Sequence, residues 1–281
     1  MMNIDLTNIG IIERDTFRDC SSLKSVSVDD NSSTKVNSKN TIDKKFIKQQ
    51  CDKGLLKNIV LPNSLTAIES NAFSGCKSLE SVDIPANVVR IGTEVFMNCE
   101  NLETVVFKDN TTSASMGKIV GEAMFLNCKS LKTVVLSNDI TAIGNNAFSG
   151  CKSLKSVKIP ANVIRIGTEV FMNCENLETV VFEDNTTGAS MGKIVGEAMF
   201  LNCKSLKTVL LSNDITAIET RAFYGCNSLK TIIVKRGIPP KLEDYVFPNL
   251  NIDIYVPQGC EKNYQNAKGW SVYASKIQPI S

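Results

Sequence analysis

Apolar positions recur along the chain in a fixed frame. The unit Phe-x-x-Cys-x-x-Leu-x-x-Val-x-apolar appears at Phe73/Cys76/Leu79/Val82, Phe96/Cys99/Leu102/Val105 and Phe125/Cys128/Leu131/Val134. It continues at Phe148/Cys151, Phe171/Cys174, Phe200/Cys203 and Phe223/Cys226, and opens at Phe17/Cys20/Leu23/Val26. A degenerate copy runs from Phe46 through Cys51 to Leu56 and Ile59. Within each unit, Val82 and Ile84 alternate with Ser81 and Asp83, the period-2 pattern of a strand with one buried face. Pro85 and its equivalents Pro62 and Pro160 are expected to end their strands, because proline offers no N–H to the next rung. Asn87, Asn110, Asn162 and Asn185 fall at the following turn, where the side chain can bond free backbone groups, and Asp139 and Asp214 substitute there. The stretch from Thr93 to Cys99 is expected to return the chain on the opposite side as a helical turn.

The frame is itself repeated. Residues 71–145 align without gaps to 146–220, offset by 75, and from Cys76 to Cys226 the cysteine spacings read 23, 29, 23, 23, 29, 23. The two copies differ at eight positions, of which three reverse charge: Glu80/Lys155, Asp83/Lys158 and Lys108/Glu183. Each unit reads as one coil of a solenoid. A single coil buries too little to offset the ordering of its backbone, so stability has to come from stacking on both neighbours, and the ends need caps.

The form Leu-x-x-Leu-x-Leu-x-x-Asn-x-Leu, as in Leu79 to Val88, is the leucine-rich repeat signature. The fuller pattern Leu-x-x-Val-x-Ile-Pro-x-x-Val-x-x-Ile-Gly-x-x-x-Phe-x-x-Cys resembles the BspA-like leucine-rich repeats of bacterial and protist surface proteins. The resemblance covers about residues 11–257, in register throughout. The tail from Tyr255-Val256-Pro257-Gln258-Gly259 through Tyr264, Gly269 and Trp270 is similar to that family's C-terminal cap, in which a short helix and a last strand close the core. The resemblance implies attachment to host proteins, matrix or other cells, at an extracellular or cell-surface location, and carries no catalytic residues or cofactor. The polar stretch 29–42 and the two 29-residue coils depart from the pattern.

Composition narrows the chemistry. The 281 residues carry 31 Lys and Arg against 29 Asp and Glu, ten Cys and no His. Without histidine there is no Ser-His-Asp or Cys-His nucleophile system, no His general base and no His-containing metal site. The near-neutral balance without a basic block argues against a nucleic-acid surface. No run of 18 apolar residues predicts a membrane span, and the N-terminus shows no basic segment followed by an apolar run, so no secretory signal is visible. Eight cysteines share one coil position, spaced about 5 Å apart by the stack. Their side chains point in parallel, so they read as a buried ladder of small apolar groups, with Cys51 and Cys260 outside it. No Cys-x-x-Cys pair exists to bind metal.

Candidate binding residues come from the strand positions that flank the buried Val. One column reads Ser25, Asn58, Ser81, Thr104, Thr133, Ser156, Thr179, Thr208, Thr231. The next reads Ser27, Val60, Asp83, Val106, Val135, Lys158, Val181, Leu210, Ile233. The second is mostly apolar although it should face solvent, and an exposed apolar strip of several hundred Å² on the concave side of a solenoid marks a contact surface. The competing explanation is that Val, Ile and Thr simply favour strands. The long coils add two rim loops, Thr111–Gly117 with Ser115 and Met116, and Thr186–Gly192 with Ser190 and Met191, roughly 15 Å apart at about 4.8 Å per strand. Carboxylates Glu94, Glu103 and Glu122 recur as Glu169, Glu178 and Glu197, which argues for solvated return-face positions and against one assembled catalytic pair. Asn31, Asn110 and Asn185 begin Asn-x-Ser/Thr sequons.

These features predict an α/β repeat solenoid: a right-handed leucine-rich-repeat superhelix with a parallel sheet on its concave face and short helical or irregular segments on the convex face. Capping or degenerate repeats are expected over 1–55, the regular array over 56–234, and the last coil and cap over 235–281. The expected function is non-catalytic recognition of host extracellular-matrix or cell-surface proteins, with no metal and no cofactor. Two other classes stay open: a spacer or self-associating scaffold, and a polysaccharide-acting parallel β-helix enzyme. The last would carry a unique charged cluster on one coil, and none is found.

Overall fold

The computed structural model describes residues 2–4, 10–29, 52–53, 56–110, 117–184, 192–249 and 251–280. It is a parallel-strand solenoid of about nine turns. The long face carries β1 (Met2–Ile4), β3 (Ser25–Asp29), β4 (Leu56–Pro62), β6 (Ser81–Ile84), β8 (Thr104–Phe107), β10 (Thr133–Val135), β12 (Ser156–Ile159), β14 (Thr179–Phe182), β16 (Thr208–Leu211), β18 (Thr231–Val234), β20 (Asp253–Val256) and β21 (Ile277–Pro279), the first and last of them at the ends of the stack. The opposite face carries shorter strands: β2 (Ile11–Ile12), β5 (Ala67–Ile68), β7 (Arg90–Ile91), β9 (Lys118–Val120), β11 (Ile140–Ile143), β13 (Arg165–Ile166), β15 (Lys193–Val195), β17 (Ile215–Ile218) and β19 (Lys241–Leu242). All recorded pairings are parallel, as β6 with β8 through Ser81↔Thr104 and Asp83↔Val106. β6 and β12 stop one residue before Pro85 and Pro160, as the missing proline donor requires.

The return segment is a turn rather than the expected helical one. Between the short and long strands the chain takes positive φ at two residues four apart: Asn71 and Gly75, Glu94 and Asn98, Ala123 and Asn127, Asn146 and Gly150. That left-handed pair is incompatible with helix. It aims the intervening Phe inward, and it explains why Gly, Asn or Asp immediately precedes each cysteine of the column, from Asp19-Cys20 to Gly225-Cys226.

The core is built from columns. Phenylalanines stack face to face from Phe17 and Phe73 at 4.8 Å to Phe223 and Phe247 at 5.6 Å, one ring per coil. The cysteines lie beside them, buried, and they are more than small apolar groups. Each thiol donates to the carbonyl of the Phe one coil back: Cys99 to Phe73 at 3.2 Å, Cys128 to Phe96 at 3.2 Å, Cys151 to Phe125 at 3.3 Å. Cys20 is disulfide-bonded, whereas Cys76 to Cys226 are free thiols. Cys260 is free and half-buried, and Cys51 lies outside the described residues.

The N-terminal end departs from a simple stack. The long-face order is β1-β4-β3-β6, so the strand after Cys20 lies beyond the strand that follows it in sequence. Phe17 touches Phe73 directly, and Cys76 donates to the Phe17 carbonyl at 2.9 Å, so no further rung separates them. The degenerate copy is therefore not a regular coil. Phe46 and the polar stretch 31–42 lie outside the described residues, while Ile59 is buried in β4. At the other end, α1 (Glu261–Asn266), a 3-10 turn (Ser271–Lys276) and β21 cover the last coil. Buried Trp270 donates through Nε1 to Pro240 O at 2.7 Å, and the Tyr264 hydroxyl to Arg236 O at 2.6 Å, so both polar tips are satisfied.

Candidate functional site

The outward columns of the long face follow from strand alternation. β8, β14, β16 and β18 bury Val105, Val180, Val209 and Ile232 and leave the flanking Thr and apolar residues half-exposed. The register places Thr104 opposite Thr133 and Val106 opposite Val135. On the other block it places Lys158 opposite Val181, Val181 opposite Leu210, Leu210 opposite Ile233, and Ile233 opposite Tyr255. Val135 is 48% exposed and Val60 41%. The two columns thus lie side by side, hydroxyls next to apolar groups.

The strip is not continuous. The long face divides into two six-stranded sheets, one ending at β10 and the other starting at β12. Thr133 and Val135 on one side, and Ser156 and Lys158 on the other, are exposed and unmatched in register. Asp83 is tied to Lys108 at 3.3 Å, so the first block carries an internally paired charge. Of the predicted rim-loop residues, Thr111, Ser115, Met116, Thr186, Ser190 and Met191 lie outside the described residues.

The loop bases hold the residues that sequence reasoning missed. Lys118, at the start of β9, is fully buried, pairs with Asp139 at 3.6 Å and donates to Lys108 O at 3.0 Å. Its equivalent Lys193 pairs with Asp214 at 3.6 Å and donates to Ala161 O at 3.3 Å. Burial pushes both ammonium groups below their ordinary pKa, and the carboxylates partly offset it. The Lys118 ammonium therefore joins both ends of its inserted loop to the next coil, whereas that of Lys193 ties the end of its loop to the preceding and following coils. A signal existed: in each copy a Lys precedes by 21 residues an Asp standing where other coils have Asn.

Of the recurring carboxylates, those with recorded partners are taken up in ion pairs. Glu103 and Glu178 lie at the starts of β8 and β14, not on the return face, and bind Lys132 and Lys207, each at 2.7 Å. The hydrogen bond from Lys207 holds the Glu178 carboxyl below the usual carboxylate range. Glu94 and Glu169 occupy the positive-φ turns. Among the described residues, no group of three or more Cys, Asp or Glu is placed to hold a metal ion, and no helix is long and apolar enough to cross a membrane.

The pattern of a BspA type leucine rich repeat region matches residues 31–118 and 118–253, in six copies. Among solved structures, the chain is similar to a leucine-rich repeat protein of T. pallidum: 24% identity, TM-score 0.44, covering 59% of this chain and 72% of that one. It is similar to a leucine-rich repeat protein of Bacteroides ovatus at 20% identity and TM-score 0.43, covering 99% and 83%. A leucine rich cell surface protein of Faecalibacterium prausnitzii is 21% identical with a TM-score of 0.35, covering 83% and 81%. No curated protein matches the sequence. With six copies of that pattern over residues 31–118 and 118–253, the chain belongs to the BspA-type leucine-rich repeat family.

Proposed function

We propose that the chain is a non-catalytic recognition and adhesion module of a cell surface, contacting host extracellular-matrix or cell-surface proteins through the long face. The observation that carries this reading is the outward apolar column of Val106, Val135, Val181, Leu210 and Ile233 beside a column of threonines. Apolar side chains held open on a rigid sheet lose little entropy on binding, and hydroxyls beside them supply adaptable polar contacts. The Asp83 and Lys158 positions differ in charge between equivalent coils, which disfavours a ligand gripped identically by every coil. The rim-loop residues Thr111, Ser115, Met116, Thr186, Ser190 and Met191 are included in the same proposal.

The test uses the Val106→Asp/Val181→Asp double variant, whose substitutions point away from the core. Binding to a panel of purified matrix and cell-surface proteins should be lost while circular dichroism is unchanged. Light scattering is read in parallel. Unchanged binding by the variant sinks the reading, and a wild-type dimer that becomes monomeric in the variant converts it to a self-associating scaffold.

A further inference from the structure

The interruption of the long face between β10 and β12 has an internal control. One copy later, β16 differs from β10 only at Leu210, and it pairs with the strand after it, β18, along Thr208↔Thr231 to Leu211↔Val234. Lys230 and Thr231 both donate to Lys207 O there, at 3.0 and 3.1 Å. Between β10 and β12 no such rung is recorded. The gap is local. Ser153 N still donates to Lys129 O at 3.1 Å before it, and Ile164 N to Thr141 O at 3.0 Å after it. Phe125 and Phe148 remain stacked at 5.2 Å behind it. The result is a slit in an otherwise closed sheet, and Val134, whose equivalent Val209 is fully buried, is half-exposed along it.

The duplication marks the place. Two of its three charge reversals, Glu80/Lys155 and Asp83/Lys158, fall just before and on β12, the strand that lines the slit. In the first copy Glu80 pairs with Lys24 and Asp83 with Lys108, both at 3.3 Å. In the second, Lys155 follows Lys132 in the stack as Lys230 follows Lys207 at the closed junction, so the two junctions differ in the strand residues themselves. Ser156 and Lys158 are poorer strand residues than Thr231 and Ile233. Among the described residues neither Lys155 nor Lys158 has an ion-pair partner within 4 Å, whereas Lys132 is held by Glu103 and the nearby Glu178 by Lys207.

We propose that this slit seats an acidic polysaccharide, with carboxylate or sulfate groups on Lys155 and Lys158 and sugar hydroxyls bridging the unpaired rungs. The inference rests on the long face being a recognition surface and names a ligand class for it. A hydroxyl both donates and accepts, so it can answer the free N–H groups of one strand and the free carbonyls of the other. An added peptide strand cannot: Cα atoms of β10 and β12 approach within 8 Å, and an intercalated strand needs about 9.6 Å, two spacings of about 4.8 Å.

The experiment titrates the full chain with size-defined oligogalacturonate, beside a neutral dextran oligomer and a polyglutamate peptide of matched charge. The variant is Lys155→Glu/Lys158→Asp, whose residues are those the first copy already accommodates at the same positions. Wild type should bind oligogalacturonate, and the variant should bind it about tenfold or more weakly, two ion pairs being replaced by repulsion. Amides of Lys155–Ile159 should exchange more slowly when the glycan is bound. Absence of binding, an unaffected variant, or equal affinity for polyglutamate each overturns the proposal. Capture of the protein panel is scored on the same preparation. A chain that captures protein and ignores the glycan overturns the glycan assignment alone; one that binds the glycan and no protein overturns the protein-partner reading alone.

Discussion

The Cys128 thiol donates a hydrogen bond to the main-chain carbonyl of Phe96, 3.2 Å away on the preceding coil. The same carbonyl already accepts from Cys99 N at 3.2 Å, closing its own turn. Each column cysteine from Cys76 to Cys226 thus uses its one donor to tie a turn to the turn before it, while its sulfur fills space beside the phenylalanine stack. Cys128→Ala removes both contributions and should cost about 1–2 kcal/mol in urea unfolding. Cys128→Ser, which keeps a donor, should recover part of that loss; equal stability of Ala and wild type would mean the thiol bond contributes nothing.

Burial raises the thiols. Cys76 is pushed from 9.0 up to about 12, and Cys99, Cys128, Cys151 and Cys203 are raised as well. A folded-state pKa above the unfolded one means stability that is fully present below pH 9 and is lost as pH rises toward 12. Lys118 and Lys193, lowered by burial, act in the opposite sense and gain stability as pH rises toward 10.5. Five thiols outweigh two lysines, so the urea midpoint should fall between pH 8.5 and 10.5. A midpoint that rises over that range contradicts the ladder. At pH 8, a thiol reagent should label Cys260 quickly and Cys76 to Cys226 only on unfolding.

The buried pair of Lys118 and Asp139 should behave as a unit. Lys118→Met leaves a carboxylate in the core whose oxygens accept no hydrogen bond, and should cost about 3–5 kcal/mol. Replacing both residues, as Lys118→Met/Asp139→Leu, should cost less than the single change. A double variant at least as unstable as the sum of the singles would show that the pair is not coupled.

Gly150 has φ +74°, and a Cβ there would lie 2.6 Å from Asn127 Oδ1. Gly150→Ala should therefore destabilise by about 1–2 kcal/mol through left-handed strain and that contact. Asn173 stands at the equivalent position with φ 60°, so Gly150→Asn should be milder. The two are compared by thermal melting.

Much of this was legible in the chain. The alternation around Val82, Val105 and Val180 states which side of each strand is buried, because strand geometry alone sets that period. Phe and Cys at a constant spacing state that coils stack in register, and the family resemblance rests on the same columns. The return turns read as helical from sequence because their left-handed residues include Glu94 and Ala123, which carry no turn signal. Lys118 reads as a surface lysine until its register opposite Ile140 places it in a core column.

Sequence by itself determined the coil, its repeat and the faces of its strands, since each depends on residues a few positions apart. Tertiary structure alone decided which neighbour satisfies each group. The Cys thiol meets a carbonyl 26 or 32 residues away, the buried Lys meets its Asp on the next coil, and β16 pairs with the long-face strand after it whereas the nearly identical β10 does not. Hydrogen bonds and ion pairs between coils depend on what is stacked above and below. A local pattern repeated almost without change can therefore lead to different outcomes along one array.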